Sequence, residues 1–112
     1  MANISNLYID QGSDFSSVIT VKAVSGLPLD LTGFTVASQI RKSFSSSAFH
    51  TFACEVLDAT TGRIRISISA SATEAIVPGR WLYDVEITQT STGKKKRVVE
   101  GIVTVTPQIT RT

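Results

Sequence analysis

The residues through which this chain could do chemistry are few. They are one histidine, His50, one cysteine, Cys54, and nine carboxylates among 112 residues. A zinc site would need further His or Cys at suitable spacing, and Cys54 by itself is a poor partner for His50. His50 therefore reads as a surface or loop histidine. Cys54 alternates with Phe52 and Val56, the pattern of a small buried hydrophobe, and no base beside it can be argued that would make it a nucleophile. Asp10 and Asp14 flank a glycine and, with Asp30, could form a loop calcium site. Calcium loops space Asp and Asn more densely, so caps and turns explain these three better. The other acids, Glu55, Asp58, Glu74, Asp84, Glu86 and Glu100, are scattered, and no glycosidase-type pair can be chosen from them. No catalytic, cofactor-binding or metal-binding residue is assigned, no cofactor is expected, and the chain does not read as an enzyme.

Two other groups could bind a ligand. Thr92-Gly93-Lys94-Lys95-Lys96-Arg97 gathers four of the eleven cations and could meet phosphate or a polyanion. Few aromatics flank it and the net charge is only +2, which favours a solvated hairpin tip and argues against nucleic acid or an anionic membrane as partner. Gly93-Lys94 is not a phosphate-binding loop, since the upstream glycine is missing and strands flank it. Trp81, Tyr83 and Phe49 could stack on a sugar. Trp81 and Tyr83 alternate with charged neighbours, which places their rings in a core instead.

The elements that must position these residues are strands. In Gly79-Arg80-Trp81-Leu82-Tyr83-Asp84-Val85-Glu86-Ile87, large apolar residues at 81, 83, 85 and 87 recur with a period of two, as in a strand with one face buried. With Arg97 to Thr106 it forms a long antiparallel hairpin. Pairing Val85 with Val99 sets Tyr83 beside Gly101, where the ring could cover bare backbone. The same register opposes Asp84 to Glu100, which counts against it.

Earlier strands are expected over Ile4 to Asp10, an edge strand, and over Phe15 to Val24, with Phe15, Ile19, Val21 and Ala23 on one face. Phe34 to Lys42 follows a turn at Ser25-Gly26-Leu27-Pro28 and puts Phe34, Val36 and Ile40 on one face. Ser43 to Ala48 is a polar, Ser-rich loop. Thr51 to Leu57 and Arg63 to Ser69 flank Asp58-Ala59-Thr60-Thr61-Gly62, whose glycine supplies a positive φ. Placing Cys54 opposite Ile66 and Val56 opposite Ile64 lets Glu55 face Arg65 on the outer side. Ser71-Ala72-Thr73-Glu74 fits a capping box, predicting a short helical turn near 72–77 that Pro78-Gly79 stops. Seven strands with one such turn predict an all-β, Ig-like antiparallel sandwich, a single domain over 1–112 with short extended tails.

Composition agrees with this. A hydrophobic fraction of 42% against 18% charged residues excludes a disordered chain, and a single cysteine excludes an internal disulfide. The start, Met-Ala-Asn-Ile-Ser-Asn, has no basic region or long apolar run, so no signal peptide is expected. No stretch approaches the roughly 20 apolar residues of a membrane span, and a chain made in a cytoplasm and staying soluble is expected.

Several runs together resemble a known group. They are Asp10-Gln11-Gly12-Ser13-Asp14-Phe15, Leu29-Asp30-Leu31-Thr32-Gly33-Phe34, Gln39-Ile40-Arg41, Gly62 to Ile68, Gly79 to Ile87 and Glu100 to Pro107. Their order and spacing resemble small virion structural proteins of tailed bacteriophages and are similar to the Ig-like N-terminal domain of baseplate upper proteins. The chain lacks the long C-terminal extension with which baseplate upper proteins trimerise and contact receptors. The resemblance implies a non-enzymatic virion protein, a tail or baseplate accessory or adaptor, with capsid decoration as the alternative. Its partners would be other virion proteins and further copies of itself. A carbohydrate-binding or adhesion module is the rival class and requires Trp81, Tyr83 or Phe49 to be exposed. The segments Ala2 to Asp10 and Gln108 to Thr112 are expected to lie along a neighbour, so that either could be deleted without loss of the fold.

Overall fold

The computed structural model describes residues 3–23, 26–43, 47 and 49–109. It is all-β with one short helix. The strands are β1 (Asn3–Ile4), β2 (Leu7–Asp10), β3 (Phe15–Thr20), β4 (Phe34–Arg41), β5 (Phe49–Asp58) and β6 (Arg63–Ile68), then helix α1 (Ala70–Glu74), β7 (Gly79–Gln89) and β8 (Lys95–Thr106). One hydrogen-bonded path runs β1-β8-β7-β4-β5-β6-β3, and β2 also joins β8. The larger sheet holds β1, β2, β8, β7, β4 and the start of β5, and the smaller sheet holds the rest of β5 with β6 and β3. Because β5 pairs β4 through Phe49–Phe52 and β6 from Ala53 onward, one strand joins the two layers, and the path as a whole is barrel-like.

The inner faces follow the period of two. Trp81, Tyr83, Val85 and Ile87 are buried along β7, and Ile64, Ile66 and Ile68 along β6, in one cluster with Ile9, Val21, Leu31, Phe52 and Ile76. Fully burying such side chains is worth about 1.5 to 3 kcal/mol each, so this cluster and not a cross-link holds the layers together. The aromatic centre packs at angles: the Phe52 ring meets Tyr83 edge-on at 6.1 Å and Phe15 at 5.9 Å.

The two expected registers form. Cys54 pairs Ile66, Val56 pairs Ile64, and Glu55 faces Arg65 at 3.7 Å. Gly62 closes that hairpin at φ +70, and a Cβ there would meet the carbonyl oxygens of Val21 and Leu29 at 2.6 Å. Val56 is nevertheless 38% exposed, because the β5 register shifts between Val56 and Asp58 and carries the strand end away from the core. In β7–β8, Val85 pairs Val99, Tyr83 pairs Gly101 and Asp84 opposes Glu100. A bulge at Val98 makes that opposition tolerable. Val98 and Val99 are both buried, and Arg97 then reaches Asp84 Oδ2 at 3.0 Å and Glu100 Oε2 at 3.1 Å.

Several expectations are corrected. The sheet is mixed, since β1 and β2 run parallel to β8. The segment up to Asp10 is no loose tail: Leu7 is 7% and Ile9 0% exposed, so removing it would strip the core. Tyr83 pairs Gly101 and reaches past it to the N-terminal chain: its Oη donates to the Ser5 carbonyl, whose oxygen fills the space that a Gly101 Cβ would need. The helix cap lies two residues before the expected Ser71. Ser69 is the N-cap, accepting weakly from Ala72 N at 3.4 Å, while Asp14, remote in sequence, accepts from Ala70 N at 2.7 Å. β3 ends at Thr20, before the expected Val24. Val24 and Ser25 lie outside the described residues, as do 44–46 and 48 of the Ser-rich loop and 110–112 of the tail.

Candidate docking face of the larger sheet

The outer face of the larger sheet is built from side chains at the solvent parity of β4, β7 and β8. Most are polar, as alternation demands, but Leu82 and Ile102 are not, and they pair across the hairpin. On the other side Leu82 neighbours Arg41, and Arg41 neighbours Phe49. The Arg41 guanidinium lies 4.7 Å above the Phe49 ring centroid, a cation–π contact, and donates to Gln39 Oε1 at 2.9 Å. One lateral row, Phe49-Arg41-Leu82-Ile102, therefore crosses four strands. Beside it runs a polar row, Gln39-Asp84-Glu100, which ends on the exposed Ile4 of β1.

The N-terminal chain walls this face. Between β1 and β2 the parallel ladder breaks, and Asn6 mends it by accepting from Ile102 N through Oδ1 at 3.0 Å. Ser5 N donates to Glu100 O at 2.9 Å. The result is an open groove of about 630 Å³ lined by Ile4, Asn6, Leu82, Asp84, Glu100 and Ile102, among others. Tyr8, 72% exposed, extends the same side beside Thr104. Arg97 spans the two carboxylates, and its guanidinium is held above its ordinary value by the hydrogen bond to Glu100 and then by the Asp84 charge.

The residues singled out from the sequence are not brought together. His50 is half-buried and meets the Trp81 ring edge-on at 5.5 Å. Cys54 is half-buried and its thiol is pushed up by burial, the opposite of an activated nucleophile. Asp10 accepts from Thr106 Oγ1 at 2.7 Å, Asp14 from Ala70 N, and Asp30 from the amide and hydroxyl of Thr32. Among the described residues no three His, Cys, Asp or Glu stand close enough to hold a metal ion. Lys94, Lys95 and Lys96 are exposed at the hairpin tip, while Arg97 leaves the run for its two carboxylates.

Of the three rings that sugar stacking would need, Trp81 and Tyr83 are buried. Trp81 Nε1 donates to Val77 O at 2.8 Å, and burial pushes the Tyr83 phenol up against a smaller opposing effect of its Ser5 bond. Phe49 is 47% exposed but carries Arg41 over its ring. The row centred on Leu82 and Ile102 is not among the expected sites. Its signal was there: an apolar residue at the solvent parity of each of two adjacent strands that otherwise carry charge or hydroxyls.

The Asp10-to-Asp14 run is accounted for as a clasp. Gln11 Nε2 donates to Ile76 O at 3.1 Å while its Oε1 accepts from Gln108 N at 3.0 Å. Gly12 N donates to the buried Thr73 hydroxyl at 3.0 Å, and Asp14 caps α1. These contacts hold the crossing from the larger to the smaller sheet.

The sequence matches no protein-family model and no curated protein. Among solved structures, the N-terminal domain of phage TP901-1 ORF48 superposes with a TM-score of 0.59 at 14% identity, covering 94% of this chain and 89% of that one. Listeria monocytogenes InlP superposes with a TM-score of 0.50 at 14% identity over 93% of this chain, which spans only 26% of InlP. AggA, the major subunit of aggregative adherence fimbriae type I from Escherichia coli, reaches 0.46 at 12% identity, too distant to weigh. This chain thus shares its fold, nearly end to end, with a phage N-terminal domain.

Proposed function

We propose that this chain is a non-enzymatic structural protein of a tailed-phage virion, a tail or baseplate accessory or adaptor that docks on other virion proteins. The observation that carries this reading is the fold likeness to the phage ORF48 domain, which runs over nearly all of both chains. The outer face of the larger sheet supports a protein contact. Its apolar centre at Leu82 and Ile102, its Arg41 and Phe49, and its charged rim have the composition of a protein interface. Weak contacts of this size become firm attachment when repeated around an assembly, so several copies per particle are expected.

The chemistry of the groove fits a non-enzymatic role. Asp84 and Glu100 face each other, and both are taken up as ion-pair partners of Arg97. Capsid decoration is the other position such a protein could hold.

Imaging purified, washed particles decides between positions. The chain is expected at the tail or baseplate in a copy number that follows its symmetry. Its absence from washed particles would overturn the virion reading, and a place on the capsid would favour decoration. A chain carrying Leu82→Glu and Ile102→Lys is expected to fold normally yet enter particles at least about tenfold less well, the scale of losing an interface centre.

A further inference from the structure

Among the described residues, β3 ends the hydrogen-bonded path with one edge unpaired. Val21 N donates to Gly62 O at 2.8 Å on the β6 side. Amide groups alternate sides along a strand, so the N–H and C=O groups of Ser16, Val18 and Thr20 face away from β6, toward the open edge. All three residues are exposed, Val18 by 49%. Folded proteins usually blunt such an edge with lysine, proline or a bulge. The β3 run, Phe-Ser-Ser-Val-Ile-Thr, has no charge and no proline, and it pairs β6 without a register shift.

We propose that a second copy of this chain docks on this edge, β3 against β3 in antiparallel order, about a two-fold axis through Val18. Only registers that pair 16, 18 and 20 among themselves or with equally outward positions satisfy the exposed amides. In the register centred on Val18, Val18 meets its own copy and Ser16 meets Thr20. The flanks then match in charge. Asp14 of one copy falls opposite Lys22 of the other, at both ends, because the arrangement is symmetric. Both residues are exposed, and Asp14 uses only Oδ1 to cap α1. Sliding by two residues either way sets Asp14 against Thr20, or Lys22 against Ser16, and turns Val18 onto a hydroxyl. The sequence around β3 is self-complementary in one register.

The paired stretch from 14 to 22 is about 30 Å long at about 3.3 Å per residue, and covers less than the roughly 800 Å² per partner of a standard interface. The dimer is accordingly weak in dilute solution and builds up at high concentration or in a repeating assembly. The proposal rests on the edge and stands whether or not the virion reading does.

Sedimentation equilibrium of the full chain from about 1 µM to about 1 mM covers the range in which so small an interface dissociates. Wild type is expected to dimerise with rising concentration. Val18→Pro removes an outward N–H at an edge position where proline is tolerated, and Val18→Lys sets two like charges face to face. Each is expected to weaken association at least about tenfold with unchanged circular dichroism; should the proline variant fail to fold, the lysine variant carries the test. In a Cys54→Ser background, a short thiol cross-linker is expected to join Ser16→Cys chains to Thr20→Cys chains. It should not join Ser16→Cys chains to each other, whose residues 16 lie about 13 Å apart along the strands. A chain that stays monomeric throughout, Val18 variants that associate like wild type, or Ser16→Cys chains that cross-link to themselves as readily would each overturn the proposal.

Discussion

At β8 the chain closes its sheet edge with its own N-terminal strands, whereas at β3 the edge has no partner among the described residues. Closing the β8 edge uses residues chosen for that purpose. Gly101 leaves room for the Ser5 carbonyl, Asn6 mends the ladder at Ile102, Tyr83 donates to Ser5, and Leu7 and Ile9 fill the core. The β3 edge carries small, uncharged residues that neither cover it nor repel another strand. A sheet edge that a fold intends to keep to itself is marked by specific side chains; an edge left bare and unblunted is available to a partner.

The sharpest way to break this contrast is Gly101→Val. Its Cβ would overlap the Ser5 carbonyl oxygen and lie 2.8 Å from the carbonyl carbon, and backbone cannot give way as a side-chain tip can. Expelling β1 and β2 forfeits the burial of Leu7 and Ile9, so urea denaturation is expected to show a loss of about 4 kcal/mol or more. Unchanged stability would mean that the N-terminal strands do not close the edge. Ile9→Ala, which keeps the strand but removes its fully buried side chain, is expected to cost about 2 to 4 kcal/mol in the same assay.

Tyr83→Phe tests a single bond of the closure. It should cost about 1 kcal/mol and speed hydrogen exchange at the β1–β8 pairing more than at β3–β6. Equal acceleration at both edges would show that Tyr83 supports the whole core instead of this one edge.

The smallest effect concerns two turns past the end of β3 on its β6 side, where Asp30 and Asp58 lie. Their carboxyls are held below the usual value of 3.8 chiefly by hydrogen bonds from the Thr32 and Thr60 side chains. A lowered folded value means that the stabilisation is present above the unfolded pKa and is lost as pH falls through the folded one. The double variant Asp30→Asn with Asp58→Asn should therefore melt slightly below wild type at neutral pH, the gap closing as pH falls below 3.8. A gap that persists in strong acid would assign the effect to lost packing, not to charge.

Much of this architecture was legible because strand parity is local. The alternation in β6 and β7 names the buried faces, and the match of Glu55 with Arg65 picks out the β5–β6 register. The β7–β8 register was legible too, yet its one objection, Asp84 against Glu100, dissolves only through the bulge at Val98 that frees Arg97 to reach both acids. The consecutive valines Val98 and Val99 break the alternation, but that break alone does not say which residue is the extra one or where Arg97 then points. The helix start was misplaced for a related reason: Ser71 fits the local pattern, but Asp14 arrives from another part of the chain to cap Ala70. The candidate face was half legible, in Leu82 and Ile102 at solvent parity, while its N-terminal wall was not.

The sequence by itself determined which faces of the strands are apolar, where the turns fall, and that packing without a disulfide must hold the layers together. These follow from side-chain period and residue type, which each segment carries alone. Only the tertiary structure decided that Leu7 to Asp10 joins β8 in parallel, that β5 belongs to both sheets, and that one edge of β3 has no partner among the described residues. Those choices depend on which backbone groups remote segments offer one another, and a backbone amide is the same in nearly every residue.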